Sequence, residues 1–183
     1  MAHSNPGERY RTARTLAIDP RIRRIGYVYF EAAVLLDWGV KNIRHDVPEV
    51  RVGRWLVPSL SQMLDHFGPA VLLVPDLRPG AIRRSPHVQV TVRAIAKEAV
   101  KRGITVHAVS DEQVRRTFER VGGKPVKNKQ AINRIVIEWF PELRPLLPKK
   151  RKLWEPERYA TPLFAAVAMY CAWQGIPLVA RER

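Results

Sequence analysis

The sequence predicts an α/β domain built around a five-stranded mixed sheet. Apolar runs of strand length alternate with amphipathic helical patterns along the chain. The first three predicted strands have short connections, which suit antiparallel neighbours, whereas the last two flank a helix, which suits a parallel pair. The 183 residues are enough for one globular domain with a sizeable core.

The first half of the chain contains the antiparallel strands. Residues 1–13 are rich in Arg, Ser, Asn, Pro and Gly without periodicity, so we expect a flexible basic arm followed by a single domain over residues 14–183. Apolar side chains at helical spacing predict a helix over Pro48–Phe67, despite Pro58, and Gly68-Pro69 ends it. Before this helix, apolar segments separated by the charged Pro20–Arg24 and the short Glu31-Ala32 predict strands at Thr15–Asp19, Ile25–Phe30 and Ala33–Val40.

The second half of the chain predicts a strand, helix, strand unit followed by three more helices. The continuous apolar run Ala70–Pro75 is typical of a strand that is buried on both faces. The prolines and basic residues of Pro141–Trp154 predict an irregular connector. The remaining elements are a helix at Val88–Arg102, a strand at Ile104–Val109, helices at Asp111–Val121 and Asn128–Phe140, and a last helix whose apolar stripe is Leu163–Cys171.

The charge balance indicates a polyanionic partner. The chain has 32 Lys and Arg against 17 Asp and Glu, a net charge of +15, which is the electrostatic pattern of a nucleic-acid binder. No stretch approaches the ~18 apolar residues that span a membrane, and residues 1–14 lack the apolar core of a secretory signal. Cys171, the single cysteine, excludes an intrachain disulfide, so we expect a cytoplasmic protein.

Two aspartates follow apolar strands and are the candidate catalytic acids. Asp19 follows Leu16-Ala17-Ile18, and Asp76 follows Val71-Leu72-Leu73-Val74-Pro75. A buried carboxylate is costly unless it is paired or ligates a cation, and Mg²⁺ is usually held by one or two carboxylates plus substrate phosphates. The alternative is structural: Asp19 caps a turn, Asp76 begins a loop, and each pairs with an arginine.

The order of elements resembles the ribonuclease H superfamily, and three segments resemble the RuvC-like Holliday-junction resolvases within it. The first is Leu16–Tyr27, which places the family's metal-binding aspartate at Asp19. The second is Leu72–Asp76, where the family has a glutamate in place of Asp76. The third is Lys127–Ala131, which resembles the basic segment where lysine meets DNA or the reacting phosphate.

The last helix departs from the family pattern. The family has two aspartates, three residues apart, at the start of this helix, and the alignment places Tyr159 and Pro162 there. The nearest acids are Glu157 and Glu155, on the approach to the helix. The resemblance therefore implies Asp19, Asp76 and Glu157 as metal ligands, with Glu155 as the substitute for Glu157, and Mg²⁺ or Mn²⁺ as the cofactor.

The resemblance implies a homodimeric, structure-selective endodeoxyribonuclease that cuts branched DNA by a two-metal mechanism. The apolar face of the Pro48–Phe67 helix is the candidate dimer interface. Two alternatives stay open: a ribonuclease H-like protein that binds nucleic acid without cutting it, and a nuclease for structured RNA. Lys127 and Lys129 are the candidates near the reacting phosphate, and the predicted contacts to the nucleic-acid backbone are Arg83, Arg84, Lys149, Lys150, Arg151 and Lys152.

Overall fold

The fold is a five-stranded mixed sheet with helices on both faces. The computed structural model describes residues 13–42, 49–78, 84–148 and 159–175, the side chains of 49–56 excepted. The sheet order is β3-β2-β1-β4-β5; β2 pairs antiparallel with β1 and β3, and β4 pairs parallel with β1 and β5. This confirms the predicted fold class. The strands are β1 Thr15–Pro20, β2 Arg24–Glu31, β3 Val34–Asn42, β4 Val71–Pro75 and β5 Thr105–Val109.

The helices follow the predicted order. The hydroxyl of Ser110 and the side-chain oxygen of Asn128 each accept a hydrogen bond, both at 3.0 Å, from the backbone N–H three residues on, so each is the cap of the helix that follows it. The helices are α1 Glu49–Phe67, α2 Pro86–Lys101, α3 Asp111–Gly122, α4 Lys129–Trp139 and α5 Thr161–Gln174.

The prediction of an irregular connector was wrong for the first part of that segment. Pro141–Leu146 forms a 3₁₀ helix, which accepts Pro141 in its first turn, where the missing N–H needs no partner. Leu143 is fully buried and fixes this turn against the core. Residues 149–154, the rest of the predicted connector, lie outside the described residues.

The sheet separates two apolar clusters. One lies between the sheet and α3, α4 and α5, and its largest side chains include Phe30 and Tyr170, whose rings stack. The other lies between the sheet and α1 and α2. Strand β1 is buried along its whole length, with Ala17 in the first cluster and Leu16 and Ile18 in the second. By strand alternation, Asp19 faces the same side as Ala17.

The described part of the apolar face of α1 packs inside the chain. Leu60, Met63 and Leu64 are all within 2% of complete burial, in the cluster beneath α1 and α2. This part of the predicted dimer interface is therefore not available to a partner. Within the described residues, no helix is both long enough and apolar enough to cross a lipid bilayer.

The hairpin between β2 and β3 has an unusual turn. Its two central residues, Ala32 and Ala33, have φ values of 44° and 69°. Two-residue hairpins need this left-handed conformation, which Asn and Gly adopt readily and alanine does not. The turn therefore stores strain at both alanines.

The start of α5 lies directly against β2. Gly26 is the cross-strand neighbour of Asp19, and a Cβ at Gly26 would lie 2.1 Å from the carbonyl carbon of Pro162. Only glycine lets the two backbones approach this closely. Gly26 therefore brings the first turn of α5 to the same end of the sheet as Asp19.

Candidate nucleic-acid interface

A cleft of about 790 Å³ opens at the carboxyl ends of the three parallel strands. Asp19 in β1, Asp76 after β4 and Ser110 after β5 all line it, together with residues of α3, α4 and α5. In open α/β sheets, ligands usually bind at this edge of the sheet. The cleft is therefore the candidate functional site.

Two arginines hold the carboxylate of Asp19. Its side chain is fully buried, and Arg21 Nε donates to Oδ2 at 2.7 Å while Arg84 Nη1 donates to Oδ1 at 2.8 Å. Burial raises the pKa of Asp19, and the positive charges of Arg21 and Arg84 offset part of that rise. Both oxygens of this carboxylate are thus occupied by guanidinium groups.

Asp76 has an arginine partner of its own. Arg78 donates to Oδ2 from Nε at 2.9 Å and from Nη2 at 2.7 Å, and its backbone N–H donates to Oδ1 at 3.0 Å. The hydrogen bonds from Arg78 hold the pKa of Asp76 below its ordinary value. The Arg78 side chain is 80% exposed, so this pair is held at the mouth of the cleft.

Lys127 and Lys129 bring positive charge to the start of α4. Both are exposed and line the cleft on either side of the cap residue Asn128. The charge of Lys129 also acts on Asp19, because it lowers the pKa of that carboxyl. In the part of the chain that the structure describes, neither lysine forms an ion pair. Both ammonium groups are therefore available to an anionic ligand.

The last helix brings no described acid to the cleft. Its lining side chains are Thr161, Phe164, Ala165, Ala168 and Met169. Among the described residues, no three His, Cys, Asp or Glu side chains lie close enough to hold one metal ion.

A divalent cation does not fit the described donor set. The oxygens of Asp19 and Asp76 already accept hydrogen bonds from three arginines, and those positive charges repel a further cation. Glu155 and Glu157 lie outside the described residues, so the third predicted ligand has no described position.

The structure brings five of the predicted site residues together and leaves the others outside its described part. Asp19, Asp76, Arg84, Lys127 and Lys129 line one cleft. Arg84 was predicted as a contact to the nucleic-acid backbone, but its side chain is only 11% exposed and binds Asp19. Outside the described residues lie Arg83, Lys149, Lys150, Arg151 and Lys152.

Three residues of the site were not among the predicted site residues. Arg21 and Arg78 each follow an aspartate by two residues, and this spacing in a basic turn was a usable signal for the pairs that form. The third is Asn133, a buried amide in the cleft wall. Its position along an amphipathic helix gave no signal.

Two solved structures show that the chain has a RuvC-like fold. RuvC from Thermus thermophilus in complex with a Holliday junction substrate aligns with a TM-score of 0.57 and 18% identity, covering 86% of this chain and 90% of that one. A second Thermus thermophilus RuvC structure has a TM-score of 0.56 and 19% identity, covering 86% and 91%. The yeast mitochondrial Holliday junction resolvase Ydc2 has a TM-score of 0.47 and 17% identity, covering 90% and 78%.

At 18% and 19% sequence identity, the two RuvC structures show only that the fold is shared. No protein-family model matches the sequence, and no curated protein matches it significantly.

Proposed function

We propose that this protein binds nucleic acid in its cleft without requiring a divalent metal, and that branched DNA is its ligand. The observation that carries the proposal is the occupation of both oxygens of the buried Asp19 by Arg21 and Arg84. The guanidinium groups of Arg21 and Arg84 lie where a nuclease of this fold would need a metal ion. A site of this kind attracts phosphate through its positive charge and has no described means of activating water.

The charges of the cleft support an anionic ligand. Because Asp19 and Asp76 are paired internally, they contribute little net negative charge at the surface. Lys127 and Lys129 face the same opening without ion-pair partners among the described residues. Lysine contacts to phosphates supply affinity and fix the position of a nucleic acid without reading its sequence.

The proposal is tested by fluorescence anisotropy with a labelled four-way junction and a linear duplex of the same sequences. We expect tighter binding of the junction, and equal affinity in EDTA and in Mg²⁺ at matched ionic strength. Lys129→Gln should weaken binding to both DNAs and reduce the slope of log K against log salt by about 1.

Lys97→Gln is the matched control, because it makes the same substitution at another exposed lysine. Lys97 lies on α2, on the other face of the sheet, and does not line the cleft. We expect its salt slope to match that of the wild type. Equal effects of the two substitutions would show that net charge, rather than this cleft, accounts for the binding.

A second candidate function is a divalent-metal-dependent endodeoxyribonuclease that cuts branched DNA. Asp19 and Asp76 favour it, because they lie at the same ends of neighbouring parallel strands and line one cleft. Glu155 or Glu157 would be the third ligand, with Mg²⁺ or Mn²⁺ as the cofactor. A resolvase cuts two symmetric strands, so this candidate also requires a homodimer.

Cleavage assays separate the two candidates. A labelled junction, a duplex and a structured RNA are incubated with the protein in Mg²⁺ and then in Mn²⁺. Binding without cutting is expected; junction cutting that is lost in Asp76→Asn would establish the nuclease instead. Asp76 is the better position than Asp19, because its partner Arg78 is exposed and tolerates the loss.

Light scattering of the free protein and of the junction complex measures the number of copies. A monomer bound to one junction fits the binding protein. A dimer on the junction, together with cutting, fits the nuclease.

A further inference from the structure

The cleft has an apolar part beside its charged part. Asp19, Asp76, Arg84 and Lys129 line the charged part, at the strand ends and the start of α4. Apolar side chains from three helices and the segment before α4 line the rest of the cleft. They are Val114, Val126, Ile132, Phe164, Ala165, Ala168 and Met169.

One polar side chain lies in this apolar wall. Asn133 is one turn along α4 from Lys129, is only 9% exposed and lines the cleft. Its side chain makes no hydrogen bond with any residue that the structure describes. The amide atoms are open to solvent at the cleft rather than sealed in the interior, so water can satisfy them and a ligand can displace that water. An amide that borders a cleft and has no protein partner is therefore able to bind the polar edge of a ligand.

We infer that the apolar part of the cleft takes an unstacked nucleobase, with Asn133 hydrogen-bonding its edge. This inference rests on the proposed function, because it adds a base contact to the binding of the phosphate. The carboxamide both donates and accepts hydrogen bonds, which matches the polar edge of every nucleobase. Val126, Ile132 and Ala165 line the same cleft and are only partly buried, so they offer apolar contacts to the flat faces of a heterocycle.

The neighbouring charges favour a nucleotide over an apolar ligand. A base in this pocket carries its phosphate toward Lys129, one turn from Asn133, and toward Lys127, just before the helix. Branch points and bulges are also where bases leave the stack at the lowest cost, which agrees with branched DNA as the proposed ligand.

The test compares two DNA bulges that differ only in the base. One carries a single unpaired 2-aminopurine, and the other carries an abasic residue at that position. The wild type should bind the base-containing bulge about tenfold more tightly, as apolar burial and one edge hydrogen bond to one base allow. The fluorescence of 2-aminopurine should also change on binding.

Asn133→Leu gives the sharper result, because it keeps the volume of the side chain and removes the amide. We expect it to bind the abasic bulge like the wild type and to lose most of the preference for the base. Its melting temperature should stay close to that of the wild type, because the amide gives up no hydrogen bond to the described residues. Thr117→Val is the control: Thr117 is a buried polar residue of α3 outside the cleft, and this variant should keep the base preference.

The outcomes separate this inference from the proposed function. Equal affinity of the wild type for both bulges overturns the base pocket while nucleic-acid binding stands. The same base preference in Asn133→Leu overturns the role of the amide. No binding of any DNA overturns both.

Discussion

Gly26→Ala tests the close contact that places α5 at the site. The added Cβ would lie 2.1 Å from the carbonyl carbon and 2.2 Å from the backbone nitrogen at the Pro162–Leu163 junction. An ordinary contact begins near 3.4 Å, so the helix or the strand has to move by more than an ångström. Both neighbours are main chain, which no rotamer change can relieve.

The cost of this movement should be large for a single methyl group. Overpacking a well-packed interior costs about 1–3 kcal/mol, and occasionally more. Because main-chain atoms lie next to the added methyl group, we expect Gly26→Ala to cost about 3 kcal/mol of stability, near the upper limit of this range. For a domain of this size, each kcal/mol lowers the melting temperature by about 2–4 °C. We therefore expect a fall of about 6–12 °C.

Thermal unfolding followed by circular dichroism measures the effect. Gly122→Ala is the matched control, because its Cβ would meet only the side chain of Ile135 at an ordinary 3.5 Å. Since Gly122 ends α3, this variant should keep or slightly raise the melting temperature. Equal melting temperatures for Gly26→Ala and the wild type would refute the close packing of α5 on β2.

Three further predictions concern the turn, a tyrosine and the cysteine. Replacing Ala32-Ala33 with Asn-Gly should stabilise the protein by about 1 kcal/mol or more, because both positions are left-handed, and should raise the melting temperature by about 2–4 °C; an unchanged value would show that the turn is not strained. Burial and the hydrogen bond to Glu31 raise the pKa of Tyr29 from 10.0 to about 12. Stability from this phenol is therefore full below pH 10.0 and is lost as the pH rises through about 12. The difference in tyrosinate absorbance between the wild type and Tyr29→Phe should titrate near pH 12; a difference that titrates near the ordinary value of 10.0 would contradict the assignment. Burial raises the pKa of the Cys171 thiol, which is 1% exposed, so it should react with a thiol reagent only after unfolding; fast labelling of the native protein would argue against its burial.

Most of the fold could be predicted because its signals are local. The apolar run at Thr15–Asp19, the caps at Ser110 and Asn128 and the stop at Gly68-Pro69 lie within a few residues of the elements they define. The boundaries in the structure differ from the predicted ones by one or two residues at most of these positions. The 3₁₀ helix at Pro141–Leu146 escaped prediction, since prolines argue against regular structure and Leu143 gains its burial only from the tertiary fold.

The site was harder to predict from the sequence, because residues that contact each other in it are far apart along the chain. Arg84 is 65 residues from Asp19, and no local pattern joins them. For Asp19 and Asp76, the sequence left two interpretations open: a metal site, or pairing with arginines. The structure contains the arginine pairs. The roles of Lys127, Lys129, Glu155 and Glu157 stay predictions.

The two apolar clusters lie on opposite faces of the sheet, and the cleft lies on only one of these faces. Substitutions can therefore be directed at one face without changing the other. The described residues that line the cleft come from the strand ends, the loops beside them, the segment before α4, and α3, α4 and α5, whereas Leu60 and Met63 of α1 pack on the opposite face of the sheet. Effects of distant substitutions usually add. Repacking beneath α1 and α2 should therefore change thermal tolerance independently of ligand choice, so that a robust scaffold can be obtained first and a new specificity selected on it afterwards.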